Sequence, residues 1–176
     1  MKNLFLIAAF ALSMSLAACS GGNKDNSSSE SAESTQSVEE IKDGNTYEGK
    51  SYTISYPKDW KETFSSEDIL NVKSADESML FSINFDAEGP SVDKLKEIAD
   101  FAKKVNTDQY KEVGEPKIED NFVTLRRVKK DGEVELSYTK VLEGTKCIMG
   151  AIKCPADKET EAEKMLMSLI ASVKMK

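Results

Sequence analysis

The sequence predicts an α+β domain: a mostly antiparallel sheet of about six strands sandwiched between helices, an α/β/α arrangement. Three observations predict it. Apolar residues alternate with polar ones in several short runs, the period of a half-buried strand. Two longer segments, 92–105 and 162–173, carry apolar residues at helical spacing. Between two of the alternating runs lies Asp131-Gly132, a hairpin dipeptide.

Taken in order, residues 1–18 form a secretory leader, with Lys2 ahead of an apolar run from Leu4 to Leu16 and small residues before the cut. That run is shorter than the roughly 20 residues of a membrane-spanning helix, so the segment is read as a signal peptide. Leu16-Ala17-Ala18-Cys19 resembles the lipobox of bacterial lipoproteins. The resemblance implies a diacylglycerol thioether on Cys19, cleavage before it and acylation of the new amine; Ser20 after the cysteine implies sorting to the outer membrane. Residues 19–45 then read as a lipidated cysteine and a solvated linker of Ser, Gly, Asn and Glu. Its first 24 residues or so, treated as flexible coil, reach roughly 25–30 Å.

The domain is expected over 46–176, roughly 130 residues and enough for one core. Tyr52, Ile54 and Tyr56 alternate with Thr53 and Ser55 in a first strand that Pro57 ends. A second strand is expected over Ile69 to Lys73, and Met79, Phe81, Ile83 and Phe85 alternate as a third. Gly89-Pro90 stops the sheet. Ser91 is placed to cap a helix carrying Val92, Leu95, Ile98, Ala99, Ala102 and Val105 on one face, with Asp93 in its first turn. Strands are then expected from Tyr110 to Ile118, Phe122 to Lys130, Glu133 to Leu142 and Thr145 to Cys154. A type I′ turn at Asp131-Gly132 sets Lys130 opposite Glu133, Arg127 opposite Leu136 and Leu125 opposite Tyr138. The strand to Cys154 is apolar on both faces and is therefore expected at the sheet centre. After Pro155, a helix presents Ala162, Met165, Leu166, Leu169, Ile170 and Val173 as one stripe.

Tyr52-Thr-Ile-Ser-Tyr-Pro-Lys-Asp-Trp60 is similar to the opening strand motif of the PsbP-like family, whose fold is shared with the Ran-binding Mog protein, and the order of elements to Val173 resembles that family too. The resemblance implies an α/β/α sandwich and a role in binding or assisting other macromolecules rather than catalysis. It carries over no binding-site residue.

Composition narrows the chemistry. The net charge is −7, and losing Lys2 with the leader leaves about −8, a surface that disfavours nucleic acid, whose binding depends on neutralising phosphates. Histidine is absent, which removes Ser-His-Asp and Cys-His arrangements and imidazole metal ligands. No cofactor or metal is called for, and with 31 acidic residues no catalytic carboxylate pair stands out from chance. Glu159, Glu161 and Glu163 read as a solvated helix start, favourable to the dipole.

Cys147 and Cys154 on one continuous strand would lie about 23 Å apart, far beyond the roughly 7 Å limit of a disulfide, and are read as free thiols. The alternative is a turn at Gly150-Ala151 that sets them opposite each other. Arg126, Arg127, Lys129 and Lys130 form one basic cluster, either a patch for an anion or acidic partner, or cations paired with Glu133 and Glu135 across the strands. Tyr52, Tyr56 and Trp60, with Tyr47 and Phe64 near them, read as core, with an aromatic ligand pocket as the alternative.

The functional expectation is a lipid-anchored, non-enzymatic domain that binds or supports another envelope protein; the rival is a small-ligand carrier. Cys19→Ser is expected to release the protein from the membrane fraction, and unchanged fractionation would overturn the anchor.

Overall fold

A computed structural model describes residues 38–105 and 107–176. The leader, the predicted lipidation at Cys19 and the linker through residue 37 lie outside the described residues. The linker's expected end, residue 45, is too late. Ile41 is the one apolar side chain of Glu39–Asn45, and it already packs against the core.

Eleven strands and two α-helices make up the described chain. They are β1 (Asn45–Glu48), β2 (Tyr52–Tyr56), β3 (Lys61–Ser66), β4 (Ile69–Lys73), β5 (Leu80–Asp86), α1 (Leu95–Lys104), β6 (Tyr110–Val113), β7 (Lys117–Glu119), β8 (Phe122–Lys129), β9 (Val134–Glu143), β10 (Lys146–Cys154), α2 (Glu159–Ala171) and β11 (Lys174–Met175). Eight strands form one antiparallel sheet in the order β3-β4-β5-β10-β9-β8-β6, with β7 also on β8; β1, β2 and β11 form a small second sheet. The α+β class and the central place of the Cys147–Cys154 strand hold, while the expected count of about six strands is low.

The strands missed by periodicity are edges. All six residues of β3 are exposed, so it has no apolar alternation and exists because β4 supplies its hydrogen bonds. The short β1 and β11 flank β2 in the same way. The single strand expected over Tyr110–Ile118 is two, interrupted at Gly114-Glu115-Pro116, where proline has no N–H for the ladder. The first helix also begins later than expected. A 3-10 turn covers Val92–Lys94, and the Ser91 hydroxyl donates to Asp93 Oδ1 (2.6 Å) instead of capping a backbone N–H. Val105 is extended and ends α1.

The hairpin between β8 and β9 corrects the expected register by one residue. Arg127 pairs with Glu135, Arg126 with Leu136 and Leu125 with Ser137. Gly132 takes φ +97°, whereas Asp131 stays out of the left-handed region. A type I′ turn requires both, so the chain adopts a three-residue loop in which Gly132 N–H donates to the Lys129 carbonyl (3.0 Å) and Lys129 N–H to that of Glu133 (2.8 Å). The Asp131 carboxylate accepts from the Glu133 N–H at 3.0 Å.

The two faces of the large sheet are packed very differently. One buries Phe81, Ile83, Leu136, Tyr138, Ile148 and Ile152 against Leu166 and Leu169 of α2 and Tyr52 and Ile54 of β2. Each such side chain contributes about 1.5–3 kcal/mol relative to exposure. The C-terminal end of α2 is held to β2 by Ser172, whose hydroxyl accepts from the Ser55 N–H at 3.0 Å. Asp68 ties the small sheet to the β3–β4 turn by accepting from the Ser51 N–H (2.7 Å) and hydroxyl (2.9 Å). Among the described residues the other face carries only α1, and its core is small: Leu95, Ala99, Val123 and Val141.

Gly150 sits at the centre, opposite Tyr138 on β9 and Ile83 on β5. The Tyr138 ring stacks on Phe81 with centroids 6.0 Å apart and donates its hydroxyl to the Ser82 carbonyl (3.2 Å), so it spans β10 at the glycine. A Cβ at Gly150 would lie 2.0 Å from the Ser82 carbonyl oxygen. Gly150→Ala is expected to destabilise the domain by on the order of 3 kcal/mol, read from urea unfolding midpoints; a change within about 0.5 kcal/mol would contradict this packing.

Candidate functional site

The basic cluster does not form a single patch. Successive residues on β8 point to opposite faces, and Arg126 and Arg127 separate accordingly. Arg126 turns toward the α2 side, where its Nε and Nη2 grip both oxygens of Glu159 at 2.6 and 3.0 Å and its Nη1 reaches Glu112 at 2.6 Å. Glu159 is thereby an ion-pair partner rather than a merely solvated residue; the Arg126 hydrogen bonds hold its carboxyl below the ordinary glutamate range. Glu163 lies 3.6 Å from Lys117, and Glu161 is exposed.

Arg127 turns to the α1 side. Its Nη2 donates to Glu135 (2.6 Å), and its guanidinium stands 4.8 Å from the centre of the Tyr110 ring. Glu135, only 6% exposed, also accepts from the Tyr110 hydroxyl (3.1 Å) and lies 3.5 Å from Lys153 Nζ. Lys129 is 2.5 Å from Glu133, and Lys130 is exposed at the hairpin tip. The pairing of the cluster with Glu133 and Glu135 is thus what the structure displays, through Lys129 and Arg127.

Tyr52, Tyr56 and Trp60 all lie within the main core, at most 7% exposed. Burial raises the Tyr52 phenol pKa and, less strongly, that of Tyr56. Phe64 departs from the aromatic group: it stands half exposed on the edge strand β3. Cys147 and Cys154 occupy the unbroken β10 as buried free thiols, with burial pushing each pKa up to about 11, so neither carries a thiolate near neutrality. The Lys158 ammonium, followed by the Ser74 and Ser78 hydroxyls, holds the Asp76 carboxyl below its usual range; this links the β4–β5 turn to the start of α2. Among the described residues, no group of three acidic or cysteine side chains is placed to hold a metal ion, and no helix is long and apolar enough to cross a membrane.

An open groove of about 280 Å³ lies between α1 and the face of β8, β9 and β10. Ile98, Ala99 and Ala102 form its helical wall; Val123, Leu125 and Met149 line the sheet side, with Ser137 and Thr139 among them and Arg127 also in the lining. Ile98 and Phe101 are 36% and 67% exposed, so the apolar stripe of α1 is wider than the sheet contact beneath it.

No protein-family model matches the chain, and no curated protein matches it. Among solved structures, the chain is similar to cyanobacterial PsbP (CyanoP) from Synechocystis sp. PCC 6803, with a TM-score of 0.52 and 15% identity over 75% of this chain and 92% of that one. The fold is PsbP-like.

On this PsbP-like sheet the groove is the feature that sequence reading missed. Its signal was available on β9, where Glu135, Ser137 and Thr139 place polar groups at alternate positions on the α1 side, and on α1, where Ala99 and Ala102 leave room. Small and hydroxyl-bearing side chains under a helix leave space that Leu or Ile would fill.

The Arg126–Glu159 pair has a defined pH dependence. A depressed carboxyl pKa stabilises the fold above the unfolded glutamate value of about 4.3, and that contribution is lost as pH falls through the folded value. Solvent reaches about a third of both side chains, so screening keeps the effect small. Arg126→Gln is expected to lower stability by about 0.5–1 kcal/mol at pH 7 and by less below pH ~4. Urea midpoints at the two pH values check this, and an equal deficit at both would refute it.

Proposed function

We propose that the chain is a lipid-anchored cell-envelope protein, held by acyl groups on Cys19 at the outer membrane, whose PsbP-like domain binds or supports another envelope protein without catalysing a reaction. Support for the anchor is the leader ending in Leu16-Ala17-Ala18-Cys19. More than one acyl chain per molecule gives attachment well beyond that of a single myristoyl group. Support for the non-enzymatic reading is the way ionisable side chains are used: Arg126, Arg127, Lys129 and Lys158 all serve ion pairs within the fold, and both thiols are protonated in the interior.

The single observation that carries the binding reading is the uncovered half of α1. Leu95 and Ala99 are buried, yet Ile98 and Phe101, on the same apolar stripe, face solvent. A contiguous exposed apolar surface is characteristic of a contact site. An apolar surface on one envelope protein, bordered at helical spacing by Glu97 and Lys104, fits a partner that is itself apolar at the contact and polar at its rim. The groove beside α1 favours a second reading, a small-ligand carrier, located there rather than at Tyr52, Tyr56 and Trp60.

Chemical cross-linking of the lipidated protein in its native membrane tests the first reading. A defined partner should be captured by the natural chain, and the yield should fall about tenfold with Phe101→Ser, since losing one buried aromatic anchor costs more than 1 kcal/mol. Equal capture by that variant, with its fold intact, would remove α1 as the contact.

A further inference from the structure

Arg127 is the charged residue that lines the groove, and Glu135 and Lys153 stand beside it. Arg127, Glu135 and Lys153 stand side by side on β8, β9 and β10, on the α1 face, two cations around one carboxylate. The row is locally positive in a chain whose net charge is −7. Glu135 engages one guanidinium nitrogen of Arg127 at 2.6 Å, while the buried Nε–H of the same side chain has no acceptor among the described residues. An unmatched buried donor is costly, and an acceptor brought to it recovers that cost. Thr124 and Tyr138 also border the groove but, by strand alternation, direct their side chains to the α2 face, so Arg127 and the Ser137 and Thr139 hydroxyls are the polar side chains on an otherwise apolar lining, a poor match for a sugar or nucleotide. A volume of about 280 Å³ lies just below the roughly 300–1,000 Å³ of small-molecule sites, enough for one modest tail and too small for a two-tailed lipid.

We infer that this groove is a binding site for a single-chain carboxylate amphiphile, a medium-chain fatty acid, with its tail between α1 and the sheet and its carboxylate at the Arg127–Lys153 end. The inference rests on the carrier reading of the groove and specifies its ligand class. Met149 and Ile98 supply flexible apolar contact for the tail. The carboxylate completes the hydrogen bonding of Arg127 through a small shift of the guanidinium, and Lys153 balances the charge against Glu135.

The experiment uses the full chain carrying Cys19→Ser, which removes the need for detergent, and titrates decanoate and decan-1-ol at neutral pH, below micelle formation, by calorimetry. Decanoate should bind about tenfold more tightly than the alcohol, the equivalent of one charge-assisted hydrogen bond. Ala102→Leu, which fills the groove from its helical wall, should abolish binding of both while leaving the thermal unfolding midpoint within a few degrees. Replacing Arg127→Gln, Glu135→Gln and Lys153→Gln together, so that no charge of the row is left without its partner, should lower decanoate affinity to that of the alcohol. Equal affinity of the natural surface for acid and alcohol would overturn the ligand class and leave the carrier reading standing. Undiminished binding by Ala102→Leu would place the site elsewhere, and no heat with either compound would overturn both.

Discussion

The fold depends on one crowded crossing at the middle of its large sheet. β10 runs between β5 and β9, and at Gly150 the chain approaches the Ser82 carbonyl too closely for any side chain. The side-chain space left by the glycine is taken by Tyr138, which stacks on Phe81 from two strands away and ends its hydroxyl on the Ser82 carbonyl. Burial raises the phenol pKa well above its ordinary value, so the ring remains a neutral donor. Strand pairing, core packing and one polar contact meet in the same place, which makes the centre intolerant of a single added carbon.

From this centre the two faces diverge. On the α2 side, large residues from the sheet, α2 and β2 interdigitate, and Arg126 clips β8 to the start of α2 through Glu159. On the α1 side, alternate positions of β9 carry Glu135, Ser137 and Thr139 where the opposite face carries Leu136 and Tyr138. The helix above that polar stretch has only Leu95 and Ala99 to bury fully, and a groove results. Stability is thus concentrated on one face, and the other has the loose packing and half-used helix on which a contact can be built without disturbing the core.

The basic cluster shows how much of a site can be read from a linear run of charges and where that reading stops. Four cations within five residues read as one patch, but strand alternation sends Arg126 and Arg127 to opposite faces, and carboxylates on β9, on the loop before it and on α2 take up three of the four. Alternation was legible in the chain; the identity of the partners was not, because Glu159 lies 33 residues away and reaches Arg126 only when α2 folds back over the sheet. The aromatic group divided similarly: Tyr52 and Tyr56 share the buried face of β2, whereas Phe64 stands half exposed on the edge strand β3.

The sequence by itself determined the elements whose burial is written as a local period. Tyr52–Tyr56, Ile69–Lys73, the alternating run at Leu80–Asp86, the two-sided apolar strand at Lys146–Cys154 and the stripe of α2 all form where periodicity placed them, because the apolar face must be hidden whatever hides it. Tertiary structure alone decided what was paired with what. The polar β3 is a strand only because β4 completes it, the hairpin register follows from the φ values its loop could adopt, and the groove exists because α1 covers β8 and β9 with side chains too small to fill the space. A period reports that a residue is buried and not the shape or charge of its neighbour, so fold class was accessible from the chain while the surface available for function was not.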